Sequence, residues 1–258
     1  FLTVRAAGGQ SAPPLSKKTM KRKTFLILQI SALLLSLLQL GANPIAAAEP
    51  ANEASVDYLA LFPDWYFDGE QSGAELGFSV DTAGDLDGDG FDDIVVGAPK
   101  FVPPGESSNY GAAFVFYGSS SSTPLESKPY QLLTIKNPYS KGSLFGSAVA
   151  SAGDVNKDGY DDLLVGAPEY KVPFTNTNGT PPSGAVFLYL GSQDGINDTP
   201  DWSYEAEVSE IKLGFAVAAA GDVNNDTFAD ILVGAPLYES SDELSNEGIA
   251  YLFFGSKD

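Results

Sequence analysis

A block of 24 residues occurs three times in the chain, and it constrains the fold more than any other feature. It reads LGFSVDTAGDLDGDGFDDIVVGAP over 76–99, FGSAVASAGDVNKDGYDDLLVGAP over 145–168 and LGFAVAAAGDVNNDTFADILVGAP over 213–236. Its first loop aspartates, Asp85, Asp154 and Asp222, stand 69 and 68 residues apart. A fixed period of this length means one supersecondary unit stacked against copies of itself. After each Gly-Ala-Pro, a polar loop of variable length leads to an apolar run ending in x-Gly-Ser, over 112–119, 185–192 and 250–256. A further short segment follows at 130–135 and 201–205.

These runs are rich in Val, Ile, Phe and Tyr, are bounded by Gly, Pro, Asn and Asp, and show no helical period, so each unit is predicted to hold four antiparallel strands. The expected class is all-β: a β-propeller of four-stranded antiparallel blades, incomplete, with about three blades in repeats at roughly 64–130, 131–200 and 201–258. A β-sandwich would not require the same block three times. The pairs Gly97-Ala98, Gly166-Ala167 and Gly234-Ala235 are expected to let neighbouring backbones approach, and Pro99, Pro168 and Pro236 to end the strand. Trp65 and Trp202, in matching Pro-Asp-Trp phrases, are read as packing residues of an outer strand.

Each block contains a turn dense in oxygen donors. Counting from its first aspartate, the first loop offers Asp85, Asp87, Asp89 and Asp93 at positions 1, 3, 5 and 9; the second offers Asp154, Asn156, Asp158 and Asp162; the third offers Asp222, Asn224, Asp226 and Asp230. Alternate carboxylates on a tight turn aim at one point, which suits a hard cation wanting six to eight oxygens. Position 7 (Phe91, Tyr160, Phe228) is expected to add a backbone carbonyl. Position 6 is Gly90 and Gly159, which permit the bend, but Thr227 in the third loop. Position 12 separates these loops from EF-hand and dockerin loops, because Val96, Val165 and Val233 stand where a ligating carboxylate would be. Up to three Ca²⁺ ions are expected, with affinity falling from the first loop to the third as carboxylates and the bend-permitting Gly are lost.

Composition narrows the chemistry further. With no His and no Cys, the chain has no Ser-His-Asp triad, no His- or Cys-ligated metal and no disulfides. A net charge of −20 disfavours nucleic acid and anionic membranes as partners. Paired acids such as Asp92-Asp93 and Asp161-Asp162 are better read as loop groups than as a glycosidase pair, since they stand at the same place in two repeats. No catalytic residue is assigned, and the chain is expected not to be an enzyme.

The block xGxxV…GDxNxDGxxDxxVGAP resembles the FG-GAP repeat of integrin α-subunit propellers, a repeat also found in glycosylphosphatidylinositol-specific phospholipase D and in many exported bacterial proteins. The resemblance covers about 55–258. It implies a propeller, usually of seven blades, with metal loops on one face. The Phe of the Phe-Gly pair stands at Phe145 but is Leu76 and Leu213 in the other repeats. The implied role is an exported, non-catalytic calcium-binding module for cell-surface adhesion, with an extracellular protein or glycan ligand. The alternatives are the accessory propeller of an exported hydrolase or phospholipase, and a structural envelope scaffold.

The segment 20–48, with Met20, Lys21-Arg22-Lys23, an apolar run over 25–40 and Ala46-Ala47-Ala48, has the three parts of an export signal, with cleavage expected after Ala48. Residues 1–19 then form an upstream extension outside the native protein, and 49–258 the mature segment, secreted, periplasmic or cell-surface, without a transmembrane span. That segment is expected to be part of a longer propeller. Strand alternation puts the metal loops on one face and the dissimilar loops 100–110, 169–183 and 237–247 on the other, where Tyr110, Tyr170, Phe174 and Tyr238 are the candidate binding anchors.

Overall fold

A computed structural model of the chain describes residues 65–69, 71–120, 125, 130–135, 140–171, 183–240 and 246–257. The export signal, the upstream extension and Phe174 lie outside the described residues. Among the described residues, eleven strands form three antiparallel sheets. The first is β1 (Ser79–Gly84), β2 (Asp93–Ala98), β3 (Ala112–Phe116) and β4 (Gln131–Leu133), in that order. The second repeats it with β5 (Ala148–Gly153), β6 (Asp162–Lys171), β7 (Ser183–Tyr189) and β8 (Trp202–Glu205). The third holds β9 (Ala216–Gly221), β10 (Asp230–Ala235) and β11 (Ile249–Phe253). Among the described residues the architecture is all-β: consecutive propeller blades, the inner strands β1, β5 and β9 packed in series, the ring not closed.

The register repeats with the sequence. Ser79 pairs with Gly97, Ala148 with Gly166 and Ala216 with Gly234, and each inner strand ends in an irregularity before its acidic loop. There Gly84, Gly153 and Gly221 take φ of 75°, 68° and 70°, a left-handed conformation that costs glycine little. That twist releases the chain from the ladder into the loop.

Blades join through the glycines and the Phe-Gly pair. Phe145 and Leu213, both fully buried, form isolated parallel bridges with Gly111 and Gly184 of the preceding blade. A Cβ on Gly97 or Gly166 would overlap the carbonyl oxygen of Gly146 or Gly214 in the next blade, so the close approach expected of the Gly-Ala pairs is present. Between the first two blades lies a core of Leu86, Val95, Val115, Leu163, Phe187 and Tyr189 with their neighbours. A matching cluster around Val155, Leu164, Ile211, Leu213 and Val233 joins the second and third.

Trp202 and Tyr204 of β8 pack on Phe253 and Tyr251 of the next blade, and Trp65 and Phe67 pack in the same way on Phe116 and Phe114. Both tryptophans are therefore packing residues. Two expectations are corrected. β2 and β10 stop before Pro99 and Pro236, but β6 runs through Pro168 to Lys171, because Pro168 falls within a register shift between Ala167 and Lys171 where no ladder donor is required. Tyr110 and Tyr170 are buried packing groups rather than surface anchors: the Tyr110 hydroxyl donates to Glu106, and Tyr170 stacks edge-on against Phe187. Tyr238 is half-buried against the cluster between the second and third blades.

Candidate metal centre

The acidic loops join the first and second strands of each blade, and one hydrogen-bond pattern folds all three. The position-1 carboxylate accepts the amides of positions 5 and 6: Asp85 takes Asp89 and Gly90 at 3.1 and 2.9 Å, Asp154 takes Asp158 and Gly159 at 3.0 and 2.9 Å, and Asp222 takes Asp226 and Thr227 at 3.0 and 2.8 Å. The position-3 oxygen accepts the position-5 amide, from Asp87, Asn156 or Asn224, at 3.3, 3.0 and 3.0 Å. The position-5 carboxylate accepts the amide of position 7, that of Phe91, Tyr160 or Phe228, at 3.1, 3.1 and 3.0 Å. These nested turns wind the backbone around the side chains at positions 1, 3 and 5. In the first loop, ligand oxygens of Asp85, Asp87 and Asp89 lie within 4.8 Å of one another. In the other loops Asn156 and Asn224 replace the middle carboxylate and donate to Asp158 and Asp226 at 2.8 and 2.7 Å.

Position 9 has a different setting. Asp93, Asp162 and Asp230 are fully buried. One carboxylate oxygen of each accepts the amide of position 2 (Leu86, Val155, Val223) at 2.9, 2.8 and 2.8 Å. The other accepts the amide of the Gly that follows the third strand (Gly118, Gly191, Gly255) at 2.7, 2.9 and 2.9 Å. Each of these aspartates thus staples the loop, the second strand and the end of the third. Burial pushes the carboxyls of Asp93 and Asp162 up, to about 6 and about 7, against the lowering effect of the two amides.

The donor set fits a hard cation. In the first loop the converging donors are oxygens of Asp85, Asp87 and Asp89, which concentrate negative charge; Asp93 is not among them, its two oxygens being held by the Leu86 and Gly118 amides. Thr227 keeps the loop shape of Gly90 and Gly159 by taking φ of 81° where they have 89° and 95°. The Gly of Gly-Ser, whose amide closes each staple, carries no role in the sequence reading. The sequence signal for it is the recurrence of Gly-Ser after the apolar run of all three repeats; in the structure a Cβ on Gly118, Gly191 or Gly255 would overlap the carbonyl oxygen of Asp92, Asp161 or Ala229.

Three segments match the FG-GAP repeat family, at 76–116, 145–189 and 213–253. Integrin alpha-PS5 of Drosophila melanogaster is 36% identical over 176 residues, covering 66% of this chain and 16% of that protein. Human integrin alpha-6 is 33% identical over 175 residues, covering 68% and 14%. Bovine phosphatidylinositol-glycan-specific phospholipase D is 35% identical over 170 residues, covering 62% and 18%. The chain thus spans less than a fifth of each of these relatives.

Proposed function

Because the chain is an FG-GAP repeat protein, we propose that it acts as an exported, non-catalytic, calcium-stabilised propeller module for cell-surface adhesion or ligand binding. The observation that carries the reading is the recurrence of one oxygen-rich loop at the same connection of three consecutive blades, in a chain similar to integrin alpha subunits. The groups that would hold calcium are Asp85, Asp87, Asp89, Asp93 and the Phe91 carbonyl in the first loop; Asp154, Asn156, Asp158, Asp162 and the Tyr160 carbonyl in the second; and Asp222, Asn224, Asp226, Asp230 and the Phe228 carbonyl in the third. A bound cation would supply positive charge beside the three or four carboxyl groups assigned to each loop, and so replace the missing disulfides as the fastening of each hairpin. The antiparallel order brings the ends of β2, β6 and β10 to the opposite face, which is the proposed ligand surface; 172–182 and 241–245 lie outside the described residues. Among the described residues no helix is long and apolar enough to cross a membrane.

Binding to the folded state alone stabilises by about 2.7 kcal/mol at one hundred times Kd. Calcium-loaded protein should therefore lose several degrees of melting temperature in EDTA and regain them when calcium is restored. A melting curve indifferent to EDTA removes the calcium reading. The similarity to phosphatidylinositol-glycan-specific phospholipase D favours a second reading, an accessory propeller of an exported phospholipase. Cell or matrix attachment by the purified module separates the two.

A further inference from the structure

The three acidic loops are not independent of one another. Asp161, at position 8 of the second loop, reaches across the blade interface: its Oδ2 accepts the Asp85 amide at 2.9 Å, while its own amide donates to the Asp85 carbonyl at 3.1 Å. Asp85 is position 1 of the first loop, the group that caps two turns of that loop. The approach is built in, since any Cβ on Gly84 would overlap the Asp161 carboxylate. A second contact runs alongside: a Cβ on Gly88, position 4 of the first loop, would lie 2.6 Å from the Tyr160 ring. In its own loop Asp161 stands between Tyr160 and Asp162, two of the groups assigned to calcium above.

The next interface keeps the backbone half of this clasp and lacks the carboxylate. Position 8 of the third loop is Ala229, whose amide donates to the Asp154 carbonyl at 3.1 Å. There Lys157, at position 4 of the second loop, donates to Thr227 Oγ1 and lies 5.9 Å from the centre of the Phe228 ring. The molecule thus contains the same junction with and without the side-chain clasp.

We propose that Asp161 is a positioning residue which couples the first two cation loops, so that calcium in the second loop raises the affinity of the first. The inference rests on the calcium reading above. A cation held by the Tyr160 carbonyl and the Asp162 carboxylate fixes the backbone on both sides of Asp161. The fixed carboxylate then holds the Asp85 amide, and with it the carboxylate at position 1 of the first loop. Reciprocity requires calcium in the first loop to tighten the second by the same factor.

The test is calorimetric calcium titration of the wild-type chain, Asp161→Ala, Asp161→Asn and Ala229→Asp, with Asp87→Ala identifying the first-loop event. Outer partners of metal ligands typically change affinity by roughly tenfold or more. Asp161→Ala should weaken the first loop by about that factor while the second loop, measured with the first disabled, is unchanged. Asp161→Asn should restore it, because an amide oxygen still accepts the Asp85 amide. Ala229→Asp should tighten the second loop by installing the missing clasp. Asp161→Ala only reproduces what the Ala229 junction already has, so the variant is expected to fold. Its fold is checked by the melting curve and the clasp by hydrogen exchange at the Asp85 amide, which should quicken in Asp161→Ala. Wild-type binding with an unchanged first-loop affinity in Asp161→Ala overturns the coupling and leaves the calcium reading intact. A failure of Asp161→Asn to restore binding also overturns it. A wild-type chain that takes up no calcium overturns both.

Discussion

Two single positions show what the repeat tolerates and at what cost. Thr227 holds φ of 81°, a left-handed backbone that a β-branched residue adopts at a cost of about 1–2 kcal/mol, where the sister loops have glycine. Thr227→Gly should stabilise the chain by about 1 kcal/mol in urea denaturation and tighten calcium binding at the third loop, despite losing an exposed contact with Lys157. The other position is the last residue of the third strand, Phe116, Tyr189 and Phe253 in the three blades. Tyr189 is completely buried, and among the described residues its hydroxyl has no hydrogen-bond partner. Burial pushes the phenol up, which holds it neutral. An unsatisfied buried polar group costs about 1–3 kcal/mol, so Tyr189→Phe should raise the melting temperature, with the two sister blades as evidence that Phe fits.

At the scale of the strand, one glycine in one motif serves two different environments. Gly97 and Gly166 sit where the next blade's backbone touches the Cα, while the nearest atom to a Cβ on Gly234 is the Ala216 Cβ, at 3.5 Å. Gly166→Ala should therefore force two blades apart, with a loss of about 1–3 kcal/mol or more, whereas Gly234→Ala should be close to neutral in the same denaturation assay. Equal effects would mean that the Gly-Ala-Pro motif serves the strand itself rather than its neighbour. The strand ends follow the same logic. β2 and β10 stop at the proline, and β6 passes it because the ladder is out of register there.

For the molecule as a whole, burial changes along the series of blades. Val95 and Leu164 are completely buried, but the equivalent Leu232 is 39% exposed; Val115 and Leu188 are buried, and Leu252 is 44% exposed. Between the first two blades, Ser192 and Ile196 close the interface, their amides donating to the Leu86 carbonyl and the Tyr117 hydroxyl. The corresponding place beside the third blade is a groove of about 560 Å³ lined by Val155, Leu190, Trp202 and Phe254 among others. An apolar face of this kind on an open sheet promotes association. A fragment that ends with this blade should self-associate with rising concentration in sedimentation experiments. The double variant Leu232→Lys, Leu252→Lys should reduce that association without lowering the melting temperature.

The sequence by itself determined the repeat, the all-β class, the four-strand unit and the places of the oxygen donors, because each is written in local spacing: a period in the chain, an alternation within a turn, a glycine where the backbone must bend. It also marked Trp65 and Trp202 as packing residues, since matching phrases at matching offsets occupy matching environments. Tertiary structure alone decided what touches what within and between the blades. That Tyr110 and Tyr170 are buried, that Asp93, Asp162 and Asp230 staple the end of the third strand 25 or 29 positions away, and that Asp161 holds Asp85 across 76 positions all depend on residues distant in the chain. No local spacing encodes such contacts, because they arise from strand packing on strand within a blade and from blade packing on blade.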